Sequence, residues 1–190
     1  MTIGIYGGSF DPIHTGHAMV ANFVSQCNAV DEVWLMVSRR NPMKKNETVA
    51  SDEERLQMAA LVAENCKNVR VSDFEMTLPS PSYTYDTLTA LKIRYPEHSF
   101  RLIIGSDSFE IFHQWRNYDK IVSEFGVIVY PRPGFPLSFK QPDGFLFLNG
   151  APEFSISSTL IREYIKDGWN VNYFVPLKVA EFIEKKKIYR

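Results

Sequence analysis

The stretch that decides the fold is Gly7-Gly8-Ser9-Phe10-Asp11-Pro12-Ile13-His14-Thr15-Gly16-His17, directly after the apolar run Ile3-Gly4-Ile5-Tyr6. Its order predicts a buried strand, a glycine-rich turn and a helix start. Glycines let the backbone approach an anion closely, and the free N–H groups of a helix start carry partial positive charge. His14 and His17, at positions i and i+3 of the first turn, add hydrogen-bond donors on the same face. The segment therefore predicts a phosphate-binding site.

The two histidines also allow other interpretations. They could bind a metal, but the sequence places no cysteine or third histidine to complete such a site. They could also be structural. The G-x-G-x-x-G and G-x-x-x-x-G-K-[ST] patterns of other phosphate loops are absent. Because Gly16 suits close approach of a ligand to the helix start, phosphate binding is the favoured interpretation.

Length and charge narrow the kind of ligand. The chain has 190 residues, of which 45% are hydrophobic, which predicts one globular domain over residues 1–190. Its net charge of −1 offers no broad attraction for a nucleic-acid backbone. We therefore expect small phosphorylated substrates, bound by a few nearby groups of the protein, and no nucleic-acid partner. The oligomeric state stays open, and a homo-oligomer is compatible with the sequence.

The cysteines and the hydropathy indicate the cellular compartment of the protein. Cys27 and Cys66 have neither metal-ligand nor C-x-x-C spacing, so buried free thiols are favoured over a disulfide. No stretch approaches the roughly 20 apolar residues that cross a bilayer, and no basic and apolar leader precedes the first strand. We expect a soluble cytoplasmic protein with no membrane partner. The run Lys185-Lys186-Lys187 is expected to be the solvated face of a last helix.

Alternating strand and helix patterns indicate the fold class. Apolar runs typical of buried parallel strands fall at residues 3–6, 32–37, 69–71, 100–104, 126–130 and 145–148. Helical patterns fall at residues 15–28, 52–65 and 85–95, and Ser51 with Glu54 forms a capping box for the second of these. This alternation predicts an α/β fold with a Rossmann-like doubly wound parallel sheet. Ligands then bind beyond the carboxyl ends of the strands, where the opening motif, Gly105-Ser106-Asp107 and the segment 38–45 are placed.

A second polar motif opens a later helix. It reads Ile156-Ser157-Ser158-Thr159-Leu160-Ile161-Arg162 and follows a turn-like stretch. Its serines could be simple N-caps. Arg162, however, lies one turn inside the helix, where a cation is unfavourable unless an anion is nearby. Hydroxyl groups, backbone N–H groups and one arginine together predict a second phosphate site.

With both motifs, the chain resembles the nucleotidyltransferases that carry an H-x-G-H motif and an S-x-T-x-x-R type motif. Further landmarks resemble the bacterial nicotinate-nucleotide adenylyltransferases in order and along nearly the full length: Ser82-Tyr83-Thr84, Ile104-Gly105-Ser106-Asp107-Ser108, Trp115 and Pro131-Arg132-Pro133-Gly134. The resemblance implies the nucleotidyltransferase (adenine nucleotide alpha hydrolase-like) architecture. It also implies transfer of AMP from ATP to nicotinate mononucleotide, giving nicotinic acid adenine dinucleotide and pyrophosphate in NAD biosynthesis. The mononucleotide phosphate would attack the α-phosphorus in line, with no covalent enzyme intermediate.

The resemblance also assigns roles to individual residues. His14 and His17 would hold the ATP phosphates and stabilise the transition state, while Lys44 and Arg162 counter charge; whether Lys44 or Lys45 faces the triphosphate is open. The ATP-binding residues would be Gly7, Gly8, Ser9, Phe10, Gly16, Gly105, Asp107, Ser157, Ser158 and Thr159. The mononucleotide-binding residues would be Tyr83, Thr84, Trp115 and Arg116, with the tryptophan stacked on the pyridine ring.

Mg²⁺ is the cofactor that the resemblance implies. It would be held mainly by substrate phosphates, with Asp107 as a possible further contact. Asp107 could instead contact ribose, and it could also cap a helix over residues 108–112.

Other functions stay open at the level of sequence. Phosphopantetheine adenylyltransferase shares the opening motif but has threonine where His14 stands, and another small-molecule nucleotidyltransferase is a further alternative. A non-catalytic nucleotide-binding module would require a lost catalytic group, and His14, His17 and Arg162 are all present. The choice between nicotinate and nicotinamide mononucleotide is undecided.

Overall fold

Six parallel strands form one sheet in the order β3-β2-β1-β4-β5-β6. The structure is a computed structural model that describes residues 1–39, 50–137 and 140–190. The predicted charge-countering Lys44 and its neighbour Lys45 lie outside the described residues. The strands are β1 (Thr2–Gly8), β2 (Glu32–Val37), β3 (Val69–Ser72), β4 (Ser99–Gly105), β5 (Val127–Tyr130) and β6 (Phe145–Phe147).

The order and direction of the strands confirm the predicted Rossmann-like doubly wound fold. The order 3-2-1-4-5-6 is that of dinucleotide-binding sheets, in which the chain winds outward in both directions from the first strand. The register pairs Tyr6 of β1 with Leu35 of β2 and with Ile103 of β4. The switch of direction therefore lies between β1 and β4, and the crevice at their carboxyl ends is where such sheets bind ligands.

Helices cover the sheet and connect its strands. Those described are α1 (Thr15–Val24), α2 (Asp52–Ala63), α3 (Phe74–Thr77), α4 (Thr84–Arg94), α5 (Ser106–Glu110), α6 (Tyr118–Glu124), α7 (Ser158–Lys166) and α8 (Leu177–Lys186), with a 3-10 turn at Phe112–Gln114. Two apolar clusters pack on the sheet. One contains Val24 of α1 and Ile183 of α8, and the other contains Leu88 of α4. Burial on both faces explains why the strands are continuous apolar runs rather than alternating ones.

The helix boundaries confirm some sequence predictions and correct others. The capping box of α2 is present: Ser51 Oγ accepts from Glu54 N at 3.2 Å, and Ser51 N donates to Glu54 Oε2 at 2.8 Å. α1 is shorter than predicted, because it ends at Val24 and the chain continues in turns. The helix expected over residues 108–112 begins instead at Ser106, with Gly105 as its N-cap. Asp107 therefore lies in the first turn of α5 and does not cap it.

The remaining expectations about setting have mixed outcomes. Cys27 and Cys66 are free, as predicted, although both are half-buried rather than buried. Lys185 to Lys187 are exposed at the end of α8, as expected. Within the described ranges, no helix is both long enough and apolar enough to cross a membrane.

Candidate active site

The glycine-rich turn begins where β1 ends, and it leaves room on its outer side. A Cβ built on Gly7 would meet no atom within 4 Å, so a ligand can approach the backbone closely there. Phe10, a predicted ATP-binding residue, is buried, with only 1% of the residue exposed. Its ring packs edge-on against Tyr6 at 5.7 Å and against His17 at 5.0 Å between ring centroids. The Phe10 ring thus anchors the turn in the core.

His14 and His17 cap the helix α1 reciprocally. His14 is the N-cap, and its Nδ1 accepts from the backbone N–H of His17 at 3.3 Å. The backbone N–H of His14 donates to His17 Nδ1 at 3.2 Å. The two imidazoles stack with ring centroids 3.6 Å apart. The structural role that the sequence left open is therefore real, and it does not conflict with phosphate binding.

Burial determines the charge of both imidazoles, and the cap determines which ring nitrogen carries the proton. Burial, followed by the nearby charge of Arg132, lowers the pKa of His14 to about 4. Burial also lowers the pKa of His17 well below its usual 6.5, with further contributions from His14 and Arg132. Both rings are neutral at pH 7, and because each Nδ1 accepts a backbone N–H, the proton of each ring is on Nε2. The site therefore holds two fixed Nε2–H donors.

Gly16 has a packing role in addition to the predicted approach of a ligand. It is buried, and a Cβ there would lie 2.9 Å from Ile156 Cγ2 and 3.1 Å from His14 Cε1. Real Cβ atoms essentially never make a contact of 2.9 Å, and contacts of 3.1 Å are rare. Glycine therefore lets Ile156, the first residue of the second motif, pack against the start of α1 without a shift.

The second motif docks directly onto the first. Ser158 Oγ donates to the Pro12 carbonyl at 2.9 Å, and Arg162 Nη1 donates to the Asp11 carbonyl at 2.8 Å. A further bond joins Arg162 Nη2 to Thr159 Oγ1 at 3.3 Å. The two predicted phosphate motifs, 146 residues apart along the chain in the Pro12 to Ser158 contact, therefore share one edge of the sheet.

Ser157 has the simpler of its two predicted roles. It is the N-cap of α7, and its Oγ accepts from the backbone N–H of Leu160 at 3.2 Å. It also lines a cavity of about 400 Å³, together with Asp107, Arg132, Pro133, Phe135, Phe154, Ser155, Ile156, Thr159, Leu160 and Glu163. This cavity places the second motif beside the end of β4.

Arg132 is a site residue that the sequence reasoning quoted within a motif but did not assign. Its backbone N–H donates to Ser106 Oγ at 2.8 Å, and its Nε lies 3.9 Å from Asp107 Oδ1. Its positive charge contributes, after burial, to lowering the pKa values of His14 and His17. The signal in the sequence was the Pro131-Arg132-Pro133-Gly134 turn after an apolar strand.

The four predicted mononucleotide residues lie together. Tyr83, Thr84, Trp115 and Arg116 line a cavity of about 180 Å³ with Ser82. Tyr83 is the N-cap of α4 and makes no side-chain cap bond, which leaves N–H groups of the first turn available to an anion. The Arg116 guanidinium lies over the Tyr83 ring, 4.7 Å from its centroid, and 3.5 Å from Asp86 Oδ2.

Trp115 also borders a second cavity that leads toward the glycine-rich turn. This cavity has about 200 Å³ and includes Gly7, Gly8, Ser38, Glu75 and Thr84 in its lining. Ser82 Oγ donates to Glu75 Oε1 at 3.1 Å, and burial raises the pKa of Glu75. The Trp115 ring, half-buried against Phe112 at 5.2 Å, therefore stands between the α4 start and the β1 end.

The side chains at the carboxyl ends of the strands fit a hard divalent cation that is held mainly by the phosphates of a bound substrate. Within the described residues, no three His, Cys, Asp or Glu side chains are grouped as a metal site. Asp107 offers one carboxylate near Arg132. Mg²⁺ commonly binds through one or two carboxylates, waters and substrate phosphates, so a single carboxylate suits it.

Two relatives of this chain carry the same name. A sequence profile of the Cytidylyltransferase-like family matches residues 5–164. A protein of Bacteroides fragilis named Probable nicotinate-nucleotide adenylyltransferase is 46% identical over 172 residues, covering 90% of this chain and 86% of that protein. One of the same name from Cytophaga hutchinsonii is 41% identical over 189 residues, covering 100% of this chain and 98% of that protein.

A solved structure shares the fold. Plasmodium falciparum nicotinic acid mononucleotide adenylyltransferase complexed with NaAD superposes with a TM-score of 0.80 at 24% identity, covering 99% of this chain and 97% of that one. At this identity the likeness bears on the fold, and it agrees with the sheet order found here.

Proposed function

Because the chain belongs to the nicotinate-nucleotide adenylyltransferase family, we propose that it transfers AMP from ATP to nicotinate mononucleotide, forming nicotinic acid adenine dinucleotide and pyrophosphate. This is a nucleotidyltransferase reaction of NAD biosynthesis. The observation that carries the proposal is the junction of the two phosphate motifs, where Arg162 and Ser158 bond to Asp11 and Pro12 beside the histidines. The cavity of about 200 Å³ that Trp115 borders also includes Gly7 and Gly8 of the same turn in its lining.

The histidine pair supplies donors at the reacting phosphates. The Nε2–H groups are neutral and held by the reciprocal cap, so they need no reorganisation when negative charge develops on the α-phosphoryl oxygens. Neither imidazole has to accept a proton, since the mononucleotide phosphate is already an anionic nucleophile. Catalysis is then a matter of positioning and charge stabilisation, without a covalent enzyme intermediate.

Arginine side chains balance the charge of the triphosphate. Arg162 is fixed by the Asp11 carbonyl at 2.8 Å, and the charge of Arg132 contributes to lowering the pKa values of both histidines. We assign Arg162 to the departing pyrophosphate and Arg132 to a phosphate between the two substrates. Lys44 stays a further proposal for the same charge.

Mg²⁺ is the divalent cation that we propose for the reaction. It would neutralise part of the negative charge of the ATP phosphates. Asp107 is the residue of this chain that would face it, through a water or directly. Gly105 allows this placement, because a Cβ there would lie 2.3 Å from Asp107 Oδ1.

The mononucleotide ring is assigned to the cavity at Trp115. The tryptophan face would stack on the pyridine ring, and the N–H groups at the start of α4 would bind the ring carboxylate. Backbone N–H groups donate only, so they favour a carboxylate over an amide that presents its NH₂ group. The arrangement therefore favours nicotinate over nicotinamide mononucleotide.

A comparison of acceptors tests this proposal. The purified protein is incubated with ATP, Mg²⁺ and, in parallel, nicotinate mononucleotide, nicotinamide mononucleotide or phosphopantetheine, and pyrophosphate release is followed. We expect the largest kcat/KM with nicotinate mononucleotide. A larger kcat/KM with phosphopantetheine would contradict the assignment of the mononucleotide ring to the cavity lined by Tyr83, Thr84 and Trp115.

The cellular setting is also a proposal. A cytoplasmic location is supported by two free, half-buried thiols, which a reducing compartment preserves.

A further inference from the structure

A buried arginine lies behind the glycine-rich turn. Arg55, in the first turn of α2, is 2% exposed. Its Nη1 donates to the Ser9 carbonyl at 2.6 Å and to the Ser38 carbonyl at 2.7 Å. Its Nη2 donates to Asp52 Oδ1 at 2.6 Å. One guanidinium thus joins the turn after β1 to the chain that leaves β2.

Stability alone does not account for a charge at this position. Removing a guanidinium from water is costly, and a buried ion pair is often no more stabilising than apolar side chains of similar volume. The Asp52 partner is 45% exposed, which weakens its attraction further. The two carbonyl oxygens are therefore the distinctive ligands of Arg55, and both belong to the edge where the substrates are proposed to bind.

The backbone at the turn explains what the arginine can do. Phe10 has φ of 48°, a left-handed conformation that costs a non-glycine residue about 1–2 kcal/mol. Surrounding contacts must hold such a residue in place. The buried Phe10 ring provides one of these contacts, and the bond from Arg55 to the Ser9 carbonyl provides the other.

The same bond orients an N–H group. In a planar trans peptide, the carbonyl and the following N–H point in opposite directions. With the Ser9 carbonyl directed at Arg55, the Phe10 N–H points away from α2. Among the described residues this N–H has no acceptor in the protein. It is thus a backbone donor with an unused bond at the phosphate-binding turn.

Charge supports the same role. Carbonyl oxygens carry partial negative charge and would repel a triphosphate. Arg55 draws the Ser9 and Ser38 carbonyl oxygens toward a full positive charge. Ser38 also lines the cavity that Trp115 shares with Gly7 and Gly8. The effect of Arg55 on the carbonyl oxygens therefore reaches the boundary between the two proposed substrate sites.

We propose that Arg55 is a positioning residue for ATP: it holds the Ser9–Phe10 peptide so that the Phe10 N–H donates to a phosphate oxygen. This inference deepens the proposed function and rests on it for the identity of the ligand. Lysine cannot replace the arginine fully, because a point ammonium lacks the planar fork that serves two carbonyls and a carboxylate at once.

The first test compares wild type with Arg55→Lys. Binding of ATP with Mg²⁺ is measured by isothermal titration calorimetry without mononucleotide, and KM and kcat are measured separately. We expect ATP to bind about 10-fold more weakly, as for loss of one charged hydrogen bond, while the KM for nicotinate mononucleotide is unchanged. A merely structural role would lower the melting temperature and the active fraction but leave the Kd of the folded molecules unchanged.

A second pair of variants keeps the test independent of the folding of Arg55→Lys. Asp52→Asn weakens the group that orients Arg55, whereas Glu53→Gln makes the same charge change on the next residue. Glu53 is exposed and its Oε1 accepts only from Gln57, at 3.3 Å. We expect Asp52→Asn to weaken ATP binding and Glu53→Gln to leave it as in wild type.

The outcomes separate this inference from the proposed function. Wild-type ATP affinity in folded Arg55→Lys would overturn the inference, and if that variant does not fold, equal affinities in Asp52→Asn and Glu53→Gln would do so. If wild type binds ATP but forms no dinucleotide, the proposed function fails while the calorimetric comparison still decides the role of Arg55.

Discussion

The stacked imidazoles of His14 and His17 serve structure and chemistry at once. Each Nδ1 satisfies a backbone N–H at the start of α1, and that bond leaves the proton on Nε2. Burial keeps the rings neutral, which lets them stack at 3.6 Å without charge repulsion. The cap is therefore what makes the donors fixed.

Replacing His17 by alanine tests its role as a donor. We expect kcat to fall by about 10²-fold, as for loss of a preorganised transition-state donor, with the fold retained. His113→Ala is the control, because His113 is exposed in the 3-10 turn. Steady-state kinetics and circular dichroism of both variants are compared. A kcat of His17→Ala equal to that of His113→Ala would remove the assigned role.

The lowered pKa of His14 predicts how stability depends on pH. Its pKa falls from 6.5 to about 4 on folding, so between these values the unfolded chain binds more protons than the folded one. Stability should therefore decrease as the pH falls from 6.5 toward 4. We expect urea unfolding to show a smaller decrease in His14→Asn, since asparagine is a good N-cap without an imidazole. Parallel pH curves for the two proteins would contradict the neutral buried ring.

Individual side chains show where sequence reasoning stops. The motif named the candidate site residues, but it did not predict the packing contacts of Phe10 and Gly16. Phe10 packs into the core, and Gly16 faces Ile156. The Gly16 contact joins residues that are distant in sequence, and the position of the Phe10 ring depends on the φ angle of that residue. Spacing within a motif does not contain that information.

At the scale of elements, the start of α4 and the 3-10 turn form the walls of the proposed mononucleotide site. Tyr83 begins the helix without a side-chain cap, and Trp115 follows the turn as its C-cap. The polar neighbours of Trp115 correctly indicated a position near the surface, because its side chain is half-buried. The two elements share no sequence pattern that would place them together.

Trp115→Ala tests the division of the substrates between these elements. We expect a higher KM for nicotinate mononucleotide, by about 10-fold or more for loss of a stacked ring, with ATP binding nearly unchanged. Trp169→Ala is the matched control, since Trp169 is 62% exposed and stacks on Tyr164 at the far end of α7. The KM of each substrate is measured for both variants. Equal weakening of both substrates in Trp115→Ala would indicate a packing role instead.

Helix ends were predicted well only where local chemistry decides them. Ser51 and Glu54 cap each other within four residues, so the start of α2 was correct. The start of α5 was wrong by two residues, because the helix continues directly from the end of β4 with Gly105 as its cap. Glycine makes no side-chain cap bond, so the sequence carried no signal for this cap, and the alternative in which Asp107 caps the helix was wrong.

At the scale of the whole molecule, the doubly wound parallel sheet was predictable, because each of its strands is a separate apolar run in the sequence. Strands buried on both faces are continuous in sequence, and right-handed crossovers leave few ways to arrange them. The buried polar links behind the site were not predictable. Arg55, for example, belongs to no motif of the sequence, although it joins Ser9 to Ser38. The single domain and the oligomeric state stay predictions.

Product analysis tests the central claim, direct transfer of AMP between two bound nucleotides, most directly. ATP labelled in its α-phosphate is incubated with Mg²⁺ and the protein, with and without nicotinate mononucleotide. The account predicts nicotinic acid adenine dinucleotide and pyrophosphate in equal amounts when the mononucleotide is present, and no labelled protein when it is absent. Label bound covalently to the protein, or pyrophosphate released without the dinucleotide, would contradict it.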